Sequence, residues 1–234
     1  MKKLTVLIAV LVFVELAVTV RAADFSDWTY RLKIRFSAYN KTEALTNFPA
    51  LVALSTNISE FSYSQFASSN GFDLRFSDAS KTNELEYEIE LWTNTTSSVW
   101  VKLNQLTNNA VIYAYWGNSN QTTRQAYTTN GAVWSGIYDA VVHFQDVYWV
   151  GTNPPHWKSS VRADTNSQPV GLMQETPTPT SNNVPGKVAG GLSFDGADDR
   201  AYCQDFPEFS SYSNNFSLEF WAQPTTGMVV DTSS

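Results

Sequence analysis

Tyr30-Arg31-Leu32-Lys33-Ile34-Arg35-Phe36-Ser37-Ala38 alternates apolar and polar side chains at every step. A period of two marks a half-buried β-strand, because successive side chains leave a pleated backbone on opposite faces. Tyr30, Leu32, Ile34, Phe36 and Ala38 would then face a core, and Arg31, Lys33, Arg35 and Ser37 would face water. Phe48 to Leu54 follows as a more continuous apolar run, and Phe72-Asp73-Leu74-Arg75-Phe76 alternates again after a turn at Asn70-Gly71. Leu85, Tyr87, Ile89 and Leu91 share one face of the next segment, with Glu84, Glu86, Glu88 and Glu90 opposite. Val99 to Leu103 and Val111 to Trp116 complete the set, closed by Gly117-Asn118. Short strands at this spacing, without a sustained helical period, predict an all-β sandwich over residues 28–118.

Residues 119–132 are rich in Asn, Gln and Thr and read as a linker. A second β block, 133–234, opens at Val133-Trp134 and continues through Ala140 to Phe144. Residues 146–187 read as irregular, since Asn153-Pro154-Pro155 and Pro177-Thr178-Pro179 interrupt any regular element. Strands are expected again at Gly191 to Phe194, around Ala201 to Cys203, and at Phe216 to Trp221.

Composition narrows the function classes. Of the 234 residues, 43% are hydrophobic and 14% aromatic, enough to fill a core, so a disordered chain is excluded. The net charge of −7 argues against nucleic acid, which needs clustered Lys and Arg. The N-terminus has the form of a signal peptide: Lys2 and Lys3, an apolar run from Leu4 to Val20, then Val20-Arg21-Ala22 before a cleavage point. Glu15 interrupts that run and weakens insertion. Losing residues 1–22 removes Lys2, Lys3, Arg21 and Glu15, which makes the chain more acidic still. Cys203 is the sole cysteine, so an intrachain disulfide is ruled out and packing must hold the fold. The N-x-S/T triplets at Asn40, Asn57, Asn94, Asn120 and Asn215 occur about as often as chance allows in a chain this rich in Asn, Ser and Thr.

Trp28-x-Tyr30-Arg31, Asn47-Phe48-Pro49, Asn70-Gly71-Phe72-Asp73-Leu74-Arg75-Phe76, Tyr87 to Trp92, Val99-Trp100-Val101 and Tyr113 to Asn118 stand in one order. In that order the first block resembles a bacterial domain of unknown function found at the start of exported proteins. Gly186 to Asp199, followed by Asn215 to Ala222, is similar to laminin-G-like, concanavalin A-like jelly rolls. The resemblance implies a partial jelly roll, short of its later strands, with apolar area left uncovered and looser packing than the first block. It also implies binding to a glycan or a cell-surface protein, with calcium in some relatives. In some bacteria the same pair precedes a membrane proton-channel segment of the MotA/TolQ/ExbB type, which would make the chain its periplasmic part.

Several residues could carry chemistry. On a strand, the carboxylates of Glu84, Glu86, Glu88 and Glu90 would share a face at spacings of ~6–7 Å. This approaches the roughly 5–5.5 Å of a retaining glycosidase pair. A solvated strand face that resists edge pairing is the simpler reading. Asp195, Asp198 and Asp199 crowd around Gly196 and could supply oxygens to calcium, although a hairpin turn explains them as well. Trp149 and Trp157 flank Asn153-Pro154-Pro155 and could stack on sugar rings. His143 reads as a satisfied core or edge residue, His156 as a loop residue, and Cys203 as a small apolar group. Trp92, Trp100 and Trp116 are expected in the core.

The sequence therefore predicts an all-β protein, a β-sandwich followed by a partial concanavalin A-like jelly roll. It would act as an exported, non-catalytic module for glycan or surface-protein recognition, or for spacing at the cell envelope. Any membrane link would run through an uncleaved leader or a further C-terminal segment. The competing expectation is a glycoside hydrolase built on the Glu84 to Glu90 strand, in which Glu86 and Glu90 would act.

Overall fold

The computed structural model describes residues 23–134, 138, 141–148, 156–159, 170–173, 183–196, 200–203, 217 and 219–224. Among them the regular structure is β-strand with a few single 3-10 turns. Two three-stranded antiparallel sheets build the first block. One has the order β1 (Tyr30–Phe36), β6 (Ala110–Trp116), β3 (Arg75–Ser77). The other has the order β2 (Leu45–Ser55), β5 (Thr96–Leu106), β4 (Tyr87–Trp92).

The period-two segments close on one another as the pattern demands. Leu32, Ile34 and Phe36 of β1 pack with Ile112, Ala114 and Trp116 of β6 against Val52, Leu54, Val99, Val101 and Leu103 of the other sheet. Leu74, Phe76, Ala114, Val99 and Val101 are fully buried. Full burial of a Val, Leu or Phe side chain contributes about 1.5–3 kcal/mol. Phe61, Phe66, Tyr63 and Trp92 close one end through a ring cluster, with edge-to-face pairs such as Phe66–Trp92 at 5.0 Å.

Phe72 to Phe76 is strand only from Arg75 onward. Asp73 explains the rest. Its fully buried carboxylate accepts the backbone N–H groups of Ala67 at 3.0 Å, Ser68 at 3.0 Å and Gly117 at 2.7 Å. That demand turns the chain inward, and Leu74 N bonds back to Gly71 O at 3.0 Å. Gly71 lies at φ +70°, where an L side chain is disfavoured.

The stretch 119–132 lies against the sandwich. The 3-10 turn Ala126–Thr128 sets Tyr127 against Tyr87, ring centroids 5.5 Å apart, and the Tyr127 hydroxyl donates to Glu84. Gln121 accepts from buried Arg75 at 2.6 Å. Val133-Trp134, expected to open a strand, forms the 3-10 turn Ala132–Trp134, with both side chains buried.

A four-stranded antiparallel sheet has the order β12 (Arg200–Cys203), β9 (Val170–Met173), β8 (His156–Ser159), β7 (Val142–Tyr148). A short hairpin joins β10 (Asn183–Pro185) to β11 (Gly190–Leu192). Residues 146–187, read as irregular, thus contain strands. The prolines only bound them, β8 starting directly after Pro155. The expected strand at Phe216 to Trp221 does not form among described residues 217 and 219–224, where Phe220 and Trp221 are exposed. Among the described residues, the buried set ends at Trp134. No helix of the described residues is long and apolar enough to cross a membrane.

Candidate functional site

The glutamate strand divides in two. Glu84 pairs with Arg75 at 3.4 Å and accepts from Tyr127, whereas Glu86, Glu88 and Glu90 lie on the outer face of the β2-β5-β4 sheet. A register shift between Ile89 and Leu91 bends β4 at Glu90, as a bulge does. The solvated-face reading holds for Glu84 and Glu86 and fails for Glu88 and Glu90. Glu86 is 42% exposed and bonds Lys102 Nζ at 3.0 Å, while the side chains of Glu88 and Glu90 are 14% and 4% exposed.

Chain arriving from the far side covers them. Trp134 Nε1 donates to Glu88 Oε2 at 2.8 Å, and Trp100 Nε1 donates to Glu90 Oε2 at 3.1 Å. The two indoles meet edge to face at 5.2 Å. Trp100 therefore sits outside the core, against the sequence expectation, because its place on β5 points away from Val99 and Val101. His143 of β7 lies between the acids. Its Nδ1 bonds Glu90, and its Nε2 lies 3.4 Å from Glu88 Oε1, within reach of charge attraction though outside hydrogen-bond alignment. Burial opposes the imidazolium, but the two carboxylates outweigh it and raise the His143 pKa to about 9. Lys102 Nζ adds a bond to Ala132 O at 3.0 Å, and Ser98 Oγ donates to Val188 O at 3.2 Å.

This constellation joins segments rather than lining a cleft. Among the described residues, Trp134 and His143 stand against Glu88, and Trp100 and His143 against Glu90. Sequence reading missed the joint because Trp134 and His143 lie about 46 or more residues from the acids they meet. The one available signal was the pairing of a lone histidine with an acidic strand in an otherwise apolar segment.

A cleft of about 410 Å³ lies at the end of the same sheet, lined by Thr56, Ser62, Tyr63, Ser64, Ser68, Ser69, Trp92, Thr93 and Asn94. Among the described residues no charged side chain lines it. Trp92 forms a wall: its Nε1 donates to Ser69 O at 3.0 Å, Tyr63 and Phe66 pack on it edge to face, and Gly71 admits its ring. Tyr63 donates to Leu54 O at 3.1 Å and Ser97 Oγ at 2.9 Å, and burial raises its pKa against the pull of Ser97. Thr93 fixes the β4–β5 turn, accepting from Thr96 N at 2.9 Å. The side chains of Thr56 and Asn94 are exposed and make no hydrogen bond among the described residues. Hydroxyls, one amide and an indole edge, all neutral, are the chemistry that meets a polyhydroxylated ligand.

The residues singled out for binding and calcium fall elsewhere. Trp149, Asp198 and Asp199 lie outside the described residues, and Trp157 is placed on β8 without its side chain being described. Asp195 is exposed just past β11. Gly196 has φ +81°, the backbone of a turn. Among the described residues, no group of three His, Cys, Asp or Glu side chains is arranged to hold a metal ion. His156 heads β8 rather than a loop, and Cys203 ends β12.

Residues 70–159 match a family described as domain of unknown function DUF2341. The match starts within the sandwich and runs through β8, so it contains Glu88, Glu90, Trp100, Trp134 and His143 together. It overlaps the first-block resemblance from residue 70 onward. No curated protein and no solved structure matches the chain.

Proposed function

We propose that the chain is an exported, non-catalytic module that recognises a glycan or a glycan-bearing surface at the cell envelope. One observation carries the reading: a neutral cleft of hydroxyls walled by a fixed indole, at the rim of a rigid sandwich. Sugars present hydroxyls that exchange bonds with Ser, Thr and Asn, and apolar C–H faces that rest on aromatic rings. The carboxylates that would serve a hydrolase are engaged by Trp100, Trp134, His143 and Lys102. Export rests on the leader. Spacing at the envelope is compatible with the joint, because joined sheets resist bending.

A glycan array probed with the full chain tests the reading. Retention of uncharged glycans is expected, reduced by Thr56→Val and Asn94→Ala, which alter exposed positions outside the core. Absence of any glycan signal would remove recognition and leave spacing alone. Sugar release that disappears in Glu90→Gln would replace the proposal with a hydrolase.

A further inference from the structure

The outer face of β1 carries Arg31, Lys33 and Arg35 in a row, all exposed. Alternate residues on one strand face stand about 6.6–6.8 Å apart, so three cations track a straight line. Tyr113 of β6 lies beside them, paired in register with Lys33. Its ring is flanked by the Arg31 guanidinium at 5.4 Å and by a fourth cation, the Lys81 ammonium, at 4.7 Å from the centroid. Among the described residues none of these four cations forms a salt bridge. They gather on one face of a chain whose net charge is −7, with Asp78 the acid in the turn that carries Lys81.

Lys81 sharpens the point. It occupies φ 64°, a left-handed conformation that Gly or Asn adopts more easily. That conformation sets its ammonium over Tyr113.

We infer that Arg31, Lys33, Arg35 and Lys81, arrayed about Tyr113, form a docking ridge for an acidic polysaccharide bearing carboxylate or sulfate on its sugars. The inference deepens the glycan reading but uses a different face from the Trp92 cleft. Charge complementarity selects an anion. The straight row selects an extended chain over a compact ion, and Tyr113 offers a ring for a sugar's C–H face. Among the described residues, the large exposed apolar side chain that shares a hollow with Lys33 and Arg35 is Leu51, too little apolar surface for insertion, so anionic membrane is disfavoured. Nucleic acid is disfavoured because its charge density, about one per 1.7 Å of duplex, would bring too many phosphates against the acidic remainder.

Affinity electrophoresis of the full chain tests the ridge, using gels that contain polygalacturonate, dextran sulfate or neutral dextran. Retardation is expected in one or both acidic gels, should weaken as salt is added, and should be absent in neutral dextran. Arg31→Gln/Lys33→Gln/Arg35→Gln should weaken it at least about tenfold. Lys81→Asn should weaken it by a few fold while leaving thermal stability unchanged or raised, since Asn suits that backbone. Acidic-gel retardation that survives the triple substitution overturns the inference. So does a chain that floats with phosphatidylserine vesicles but is not retarded by either acidic polymer. Because the triple variant leaves the Trp92 cleft intact, continued binding of uncharged glycans by it shows that the ridge and the cleft stand or fall separately.

Discussion

The Trp134 indole donates a 2.8 Å hydrogen bond to Glu88, bridging 46 residues of chain and fixing the second segment to the outer face of β4. The same indole contacts Trp100, Tyr138 and His143, so one side chain organises the joint. Glu90, beneath it, is a buried carboxylate with an indole and an imidazole as partners. Buried charge is costly when alone and tolerable when fully partnered. The expense of the arrangement marks it as the place where a substitution will be felt.

Glu90→Gln keeps an acceptor for Trp100 but removes the charge facing His143. A loss of about 1–3 kcal/mol is expected from urea unfolding followed by tryptophan fluorescence. Glu86→Gln, at a half-exposed pair with Lys102, should cost under about 1 kcal/mol. Equal costs at the two positions would mean that the joint contributes nothing special.

Asp73→Ala should be the most damaging single change in the sandwich. It leaves the N–H groups of Ala67, Ser68 and Gly117 without their buried acceptor. Each orphaned donor costs about 1–3 kcal/mol, so the variant should be largely unfolded, as circular dichroism would show. Stability within 1 kcal/mol of wild type, on that same scale of about 1 kcal/mol per bond, would contradict the assignment.

Gly71→Ala should disturb the cleft rather than the sheets. A Cβ there would meet the Trp92 ring at 2.6 Å, and φ +70° disfavours it independently. Trp92 is held by Ser69 and the neighbouring rings, so it cannot yield without losing the Nε1 bond. The expected result is a loss of about 1–3 kcal/mol together with weaker glycan retention. Unchanged retention would detach Trp92 from binding.

Alkali should weaken the joint. The imidazolium of His143 binds its proton more tightly in the folded state than in the unfolded state, where the value is 6.5. Its contribution is therefore complete below 6.5 and lost as pH climbs through about 9. The groups facing it are Glu88 and Glu90, with Glu86 and Lys102 beside them; burial raises Tyr138, so its hydroxyl stays neutral through this window. A decline in stability on the order of 3 kcal/mol between neutral pH and pH 10 is expected. His143→Phe should flatten that slope.

The sandwich was legible because β1 and the segment from Leu85 to Leu91 alternate side chains between faces in adjacent residues, while β2 stood out as a continuous apolar run. The turn at Gly71 was legible for a similar reason. The joint was not. Nothing near Glu88 or Glu90 in sequence says that Trp134 and His143 will cover them, and an acidic strand face taken alone is most simply wet. Trp100 misled for the same reason, since an aromatic on a strand belongs to the core only if its parity does. The proline-bounded strands β8 and β9 were hidden because they are four residues each, too short to show a period.

A protonated His143 adds charge attraction to the bonds that Trp134 and Trp100 already make to Glu88 and Glu90, so the electrostatic part of the joint turns on one imidazole. Histidine side-chain NMR titration of the chain reads it directly, with His156→Gln used to assign the two resonances. The account predicts that His143 stays protonated through neutral pH, with a midpoint near 9 that drops in Glu90→Gln. A midpoint at or below 6.5 would contradict it and return the glutamate strand to the list of candidate catalytic groups.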